Sequence, residues 1–321
     1  MKISVIVPTY KRPQTLLPAL RSLQEQTLSD FEILVVDNAA DSAIEQMVAE
    51  LNKTARVNIS YLPEPQLGLH NSRHAGARAA RGDVLVFTDD DATFDPGWLK
   101  AYATAFDKYP EMAAAGGTVR PIWAVAPPQW LLELVDGAQM GFILSLMEPY
   151  NESRLNRDND FFGVNMAIRR DVLFEVDGFN PDSFGDIWLG DGETGLRRKL
   201  RERRMLIGYI PEAIVYHHIP FQRMTVDYFR RRLANGGACE MYARFHDGVP
   251  NTFCLCGYAS AIAIKNGIYW ILLVFLKDRT DLRSLRIQLD AARTQSQFKY
   301  IVRLISDRDF RQLVLKSDWL T

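Results

Sequence analysis

The apolar positions of the first ninety residues switch repeatedly between two spacings. Residues 3–7 (ISVIV) form a β-branched run closed by Pro8, which predicts a short buried strand. From 15 to 26, Leu16, Leu17, Leu20 and Leu23 recur on one helical face. The alternation continues, with strands expected at 32–36, 57–62 and 84–87 and helices at 42–51 and 71–80. Near-continuous apolar strands separated by helices predict an α/β fold, a mostly parallel central sheet covered on both faces. Beyond residue 116 the pattern is less regular. Pro121, Pro127 and Pro128 break any long helix. A strand is expected at 163–168, a helix at 170–176, a basic helix at 195–204, and strands at 207–210 and 213–216. From Thr225 onward the chain reads as almost entirely helical, which divides it into an α/β domain at 1–222 and a helical C-terminal region at 223–321.

Composition narrows the function classes. Of 321 residues, 47% are hydrophobic and 24% charged, so the chain can bury a core. The 38 basic and 39 acidic residues leave a formal charge of −1, which excludes a protein that coats nucleic acid by bulk charge. The three cysteines, Cys239, Cys254 and Cys256, form neither a disulfide framework nor a zinc pattern and fit a reducing compartment. The N-terminus carries no apolar run of leader length, so a cytoplasmic location is expected. Residues 253–276 are apolar over nearly the length of a membrane span, but Lys265 sits at their middle, at a cost of roughly 3 kcal/mol for insertion. Two readings stay open for this stretch. It lies in a membrane surface, followed as it is by Lys277, Arg279, Arg283 and Arg286, or it packs on the α/β domain. The first would make the protein peripheral on the inner face of the plasma membrane.

Ligands of parallel sheets bind at the carboxyl ends of the strands, and Thr9, Asp37 and Asp89–Asp90–Asp91 each sit just past such an end. Three adjacent carboxylates repel one another and offer the fold little beyond a cap. Delivered by a buried strand, alternate residues Asp89 and Asp91 can serve a ribose hydroxyl and a divalent metal, Mg²⁺ or Mn²⁺, which also binds phosphates. Residues 190–195 match G-x-G-x-x-G, but no hydrophobic strand precedes them and an acid lies inside the turn, so a dinucleotide site is rejected. P-loop and nucleophile-elbow patterns are absent.

Six segments carry a resemblance: ISVIVPTYKRP (3–13), ILVVDN (33–38), LGLHNSRHAGARAARGDVLVFTDDDA (67–92), GVNMAIRRDVLFEVDGF (163–179), GDGETGLR (190–197) and YHHIPFQR (216–223). Together, in this order, they resemble family-2 glycosyltransferases of bacterial type, which have the Rossmann-like GT-A fold. The resemblance implies an inverting transferase that moves a sugar from a nucleotide-diphosphate sugar, UDP by family habit, to a hydroxyl of a glycan or lipid-linked acceptor. It implies that Thr9, Arg12, Asp37, Arg73, Asp89 and Asp90 hold the donor, with Asp37 reading the base and Asp89 the ribose. Asp91 would bind the metal, with His217 beside it. Arg223 and the run Arg230–Arg232 would close over the diphosphate, and Asn165 would face the sugar or acceptor. The family's Glu-Asp-x-Glu pattern aligns Asp191 with the catalytic base and leaves Glu193 as second choice, with Gly190 and Thr194 departing from it. Trp123, Trp130 and Trp188 are candidates for stacking on sugars, with core packing the competing role. Two further classes stay in view, a sugar nucleotidyltransferase and a non-catalytic scaffold on a degenerate fold. Asp191→Asn separates the scaffold, whose function would survive it.

Overall fold

A computed structural model describes residues 2–137, 139–184, 187–188, 190–317 and 319–320. The N-terminal half alternates β1 (Ile3–Thr9), α1 (Pro13–Gln24), β2 (Phe31–Asp37), α2 (Ser42–Asn52), β3 (Ile59–Pro63), α3 (Leu69–Ala79) and β4 (Val84–Phe87). Then come β5 (Ala92–Phe94), α4 (Trp98–Lys108), β6 (Met112–Trp123) and α5 (Gln129–Leu132). After β7 (Arg154–Asn156), β8 (Met166–Arg169) and α6 (Arg170–Glu175), a small hairpin, β9 (Ser183–Phe184) and β10 (Ile187–Trp188), precedes α7 (Gly192–Glu202) and β11 (Leu206–Ile219). Four helices end the chain: α8 (Val226–Phe245), α9 (Thr252–Leu276), α10 (Leu282–Ser306) and α11 (Arg308–Leu315).

The sheet order is β3-β2-β1-β4-β8-β6-β11-β5, with β7 also on β11. β3, β2, β1 and β4 are parallel, as the near-continuous apolar runs of β1, β2 and β4 predict. Strand β8 runs antiparallel to both β4 and β6, so the whole sheet is mixed. β1 and β2 end level at Thr9 and Asp37, β4 ends opposite Ile6, and the aspartate triplet that follows it emerges along the same edge. One hydrophobic cluster, including Val5, Val35, Leu16 and Trp98, fills one face of the sheet, and another, including Ile6, Val36, Phe87 and Phe179, fills the other.

Several strands differ from the expectation: β5, β7, β9 and β10 are absent from it, and the strand expected at 163–168 forms as β8 at Met166–Arg169. β6 (MAAAGGTVRPIW) has small residues where an apolar run would announce a strand. A Cβ on Gly117 would collide with the Ala213 carbonyl, so the glycine reflects the closeness of β11. The strands expected at 207–210 and 213–216 are one strand, β11, with a register shift between Ile210 and Val215 where Pro211 interrupts it. The C-terminal helices form as expected. Phe229 and Leu233 of α8 and Leu285 and Leu289 of α10 share one cluster with Leu131, Leu134, Ile143 and Leu144.

Candidate active site

The aspartates past β4 fall into three different environments. Asp90 is fully buried beneath the edge, with Thr9 Oγ1 donating to its Oδ2 at 2.7 Å and Arg12 Nη2 3.0 Å from Oδ1. Burial pushes its pKa up to about 7 against the pull of Arg12 and Thr9. Thr9 and Asp90 therefore brace the strand ends; their own partners lie within the protein. Asp89 stays one-third exposed on the wall of a cavity of about 700 Å³. Its proton affinity is raised by burial and then by Asp91.

Asp91 meets the cations. Arg223 Nη2 donates to its Oδ2 at 2.7 Å and Arg12 Nη1 at 3.3 Å. Burial alone would raise the carboxyl, but His217, Arg223 and Arg12 outweigh it and hold the pKa well below the usual range. His217 Nδ1 donates to the Leu144 carbonyl at 2.9 Å, which leaves Nε2 with its lone pair, accepting from Arg223 Nη1 at 2.8 Å. Nε2 lies 3.5 Å from Asp91 Oδ1, a buried oxygen with no hydrogen-bond donor. The Arg223 guanidinium donates to both His217 Nε2 and Asp91 Oδ2, so the two acceptors share one cation. Among the described residues no third His, Cys, Asp or Glu joins them. The pair fits a hard divalent ion that keeps substrate and water oxygens as its other ligands. The neighbouring His218 points the other way along β11 and bonds Thr93 at 3.0 Å.

The same cavity holds a second acidic group. Asp182, Asp191 and Glu193 line it together with Asp89, with Arg73, Arg197, Arg232 and Arg293 among the cations. Asp191 precedes α7 but makes no capping bond to it. Asn180 Nδ2 donates to its Oδ1 at 2.7 Å, while Oδ2 has no hydrogen-bond donor and faces Arg198 Nε at 3.6 Å. Burial raises its pKa. For Glu193, burial is overcome by Arg73, whose Nη1 is 3.5 Å away, and the pKa is lowered. Asp182, which the sequence reading did not single out, is pushed up to about 7 by burial and by Glu193. Its one signal was the glycine pattern. Gly192 has φ +47°, and a Cβ there would collide with Asp182 Oδ1; one on Gly190 would collide with the Pro181 carbonyl. The glycines of the rejected G-x-G-x-x-G thus make room for Asp182 and its loop.

Several expected contacts are corrected by these surroundings. Asn165 does not face the cavity. Its amide oxygen accepts from Trp98 Nε1 and Tyr102 Oη, and its nitrogen donates to the Thr118 and Ala213 carbonyls, so all four of its bonds are internal. Asp37 is fully buried and accepts from the Ala39 and Asp41 amides and from Tyr61 Oη, which closes it to a base in this conformation. Arg73 is 2% exposed, stacked over Phe179 and set between Asp89 (3.9 Å) and Glu193. Gly163 leaves the space its guanidinium occupies. Of the basic run, Arg230 bonds Asp227, Gln288 and the Lys277 carbonyl, while Arg232 reaches the cavity. Trp130 packs edge-on against Phe229. Trp123 lines a second cleft of about 940 Å³ that shares Phe142 and Phe162 with the first. The Trp188 side chain lies outside the described set.

The family model for glycosyl transferase family 2 matches residues 4–176. The glucosyl-dolichyl phosphate glucuronosyltransferase of Haloferax volcanii is 28% identical over 189 residues, 57% of this chain and 57% of that protein. The poly(ribitol-phosphate) beta-N-acetylglucosaminyltransferase TarS of Staphylococcus aureus is 25% identical over 190 residues, 56% of this chain and 32% of its own. The match thus spans little more than half of the first relative and a third of the second. The mannosyltransferase PcManGT of Pyrobaculum calidifontis, solved with GDP-Man and Mn²⁺, superposes with a TM-score of 0.56 at 16% identity, covering 99% of this chain and 87% of that one. GalNAc-T7 with UDP, GalNAc and Mn²⁺ gives 0.52 at 17% identity, covering 73% and 47%. At such identities the likeness is one of fold, and the fold is GT-A.

Proposed function

The chain belongs to glycosyl transferase family 2, and on that premise we propose that it is an inverting transferase, moving a sugar from a UDP-sugar to a hydroxyl of a glycan or lipid-linked acceptor. One observation carries the reading. The donor-side carboxylate Asp89 and the acidic group Asp182, Asp191 and Glu193 line a single cavity, with Arg73 between Asp89 and Glu193. The named relatives support the donor and acceptor classes, with UDP and GDP-mannose in two structures and a dolichyl phosphate and a polyribitol phosphate in two protein names.

Asp191 is the base of this mechanism. Its Oδ2, which has no hydrogen-bond donor and an ion pair to Arg198, takes the acceptor hydroxyl proton as that oxygen attacks the anomeric carbon. The bond from that carbon to the diphosphate breaks on the opposite face, the electron pair leaves with the diphosphate, and the configuration inverts without a covalent intermediate. Glu193 holds Arg73, and Arg73 in turn sets Asp89 against the donor ribose. Arg12 and Arg223, now bound to Asp91, are placed to receive the diphosphate. A divalent ion bound by Asp91 and His217 would neutralise charge on the leaving diphosphate. The cleft beyond Phe142, lined by Trp123, Tyr150 and Tyr209, is the natural course for the acceptor.

Thermal stability against UDP, GDP, dTDP and CMP, each with and without Mn²⁺, tests this. The expected result is a Tm rise with UDP that is larger with Mn²⁺ and lost in Asp91→Ala. A flat response to every nucleotide overturns the proposal.

A further inference from the structure

Helix α9 touches the rest of the protein along one stripe. Leu255, Ala259, Ile262, Tyr269 and Leu276 recur every three to seven residues on its α10 side, and of the whole helix only Leu255 is fully buried. Near one end Leu255 and Ile262 pack in a cluster with Tyr300, Ile301 and Leu304; at the other, Gln288 Nε2 donates to the Leu276 carbonyl at 2.7 Å. α10 therefore lies antiparallel along the length of α9. The far side carries a second stripe at helical spacing: Phe253, Ile264, Ile268, Ile271 and Phe275, each between 56% and 87% exposed, with Trp270 beside them at 71%. No residue of this stripe is buried by the described residues.

We propose that this face is seated in the surface of an anionic lipid bilayer, with α9 lying parallel to the membrane plane. Packing decides against a crossing helix. α10 carries Arg283, Arg286, Asp290, Arg293, Lys299 and Arg303, and an α9 that spanned the bilayer would draw these charges into hydrocarbon with it. Charge selects the occupant. Between residues 265 and 286 there are five basic and two acidic side chains, in a chain whose formal charge is −1. Lys277, Arg279, Arg283 and Arg286 are all exposed next to the stripe, the arrangement of an interfacial helix on acidic headgroups. A second copy seated face to face would bring a like excess of cations. α10 backs α9 and also contributes Arg293 to the active-site cavity, so anchor and site share one helix.

Vesicle flotation of the full chain tests the proposal and needs neither donor nor acceptor, so its failure leaves the transferase reading standing. The protein is expected to float with phosphatidylcholine vesicles containing about one-third phosphatidylglycerol, to float poorly with phosphatidylcholine alone, and to be released by high salt. Trp270 emission should shift to the blue on binding. Ile268→Asp with Ile271→Asp should lower binding about tenfold or more while the nucleotide-dependent Tm rise is kept. Lys277→Glu with Arg279→Glu should lower it severalfold on the acidic vesicles. Failure of the wild type to bind either vesicle overturns the proposal. So does bound protein that resists alkaline carbonate, which marks a crossing helix. So does a dimer, seen by light scattering, that Ile268→Asp splits.

Discussion

Asp191 and Glu193 are two residues apart, and their surroundings pull their protons in opposite directions. Burial raises Asp191, whereas Arg73 overcomes burial at Glu193 and lowers it. A base gains from the first condition and a counter-ion from the second. Asp191→Asn is therefore expected to lower kcat by roughly 10²–10⁴ while donor binding persists. Glu193→Gln should chiefly raise the donor KM, because it frees Arg73 from its place beside Asp89. The same assignment fixes a pH profile: activity falls on the acid side at a pH above the ordinary aspartate range, and Asp191→Asn abolishes that limb. A second prediction concerns Arg223, which covers Asp91 and His217 as a cation would. Arg223→Ala should tighten Mn²⁺ binding without nucleotide, seen by calorimetry, and weaken UDP binding in its presence. Asp89 and Asp91 were legible as strand-end residues, and Arg73, Asp191, Glu193, His217 and Arg223 through the family resemblance. Their division of labour was not, since Asp37 and Asp90 differ from Asp89 and Asp191 only in what surrounds them.

Helix α3 shows how an element can be clear in sequence while its chemistry is not. Its alanines predict a helix, and Ala75 and Ala77 are buried as they should be, yet His70, Ser72, Arg73 and His74 are buried with them. Burial lowers the pKa of His70 to about 4 and of His74 to about 3, against 6.5 in an open chain. The unfolded chain thus takes up protons first as pH falls. The pair's contribution to stability is complete above about pH 6.5 and is lost as pH falls toward 4, by on the order of 3 kcal/mol for His70. His70→Phe, which keeps a ring against Trp319, should flatten the pH dependence of Tm across that window. No flattening would show that His70 is already charged in the fold. β6 is the opposite case, an element hidden in sequence because its packing depends on Ala and Gly rather than on large side chains.

At the scale of the molecule, the C-terminal helices are part of the same structure as the α/β domain. Phe229 is fully buried among Leu131, Leu134 and Ile143, and α8 and α10 place Arg232 and Arg293 on the cavity wall. Phe229→Ala should cost about 3–5 kcal/mol and lower the Tm of one shared transition in calorimetry. Two separate transitions, only one of them shifted, would mark the helices as an independent unit. α9 follows a different logic. Its outer stripe leaves five large apolar side chains in water, each of which would gain about 1.5–3 kcal/mol on full burial, so some apolar or interfacial phase is expected to cover it.

The sequence by itself determined the parallel half of the sheet, the strand ends that carry the aspartates, the helical C-terminus and the family. All of these follow from periodicity and short local patterns, which the chain carries in one dimension. Only the tertiary structure decided the rest. It joined two short runs into β11, turned Asn165 inward, brought Asp182 beside Glu193 and set α9 with one stripe on α10 and the other in the open. These outcomes depend on which distant residue lies within 4 Å, because burial and charge pairing between elements set both a side chain's proton affinity and its freedom to bind.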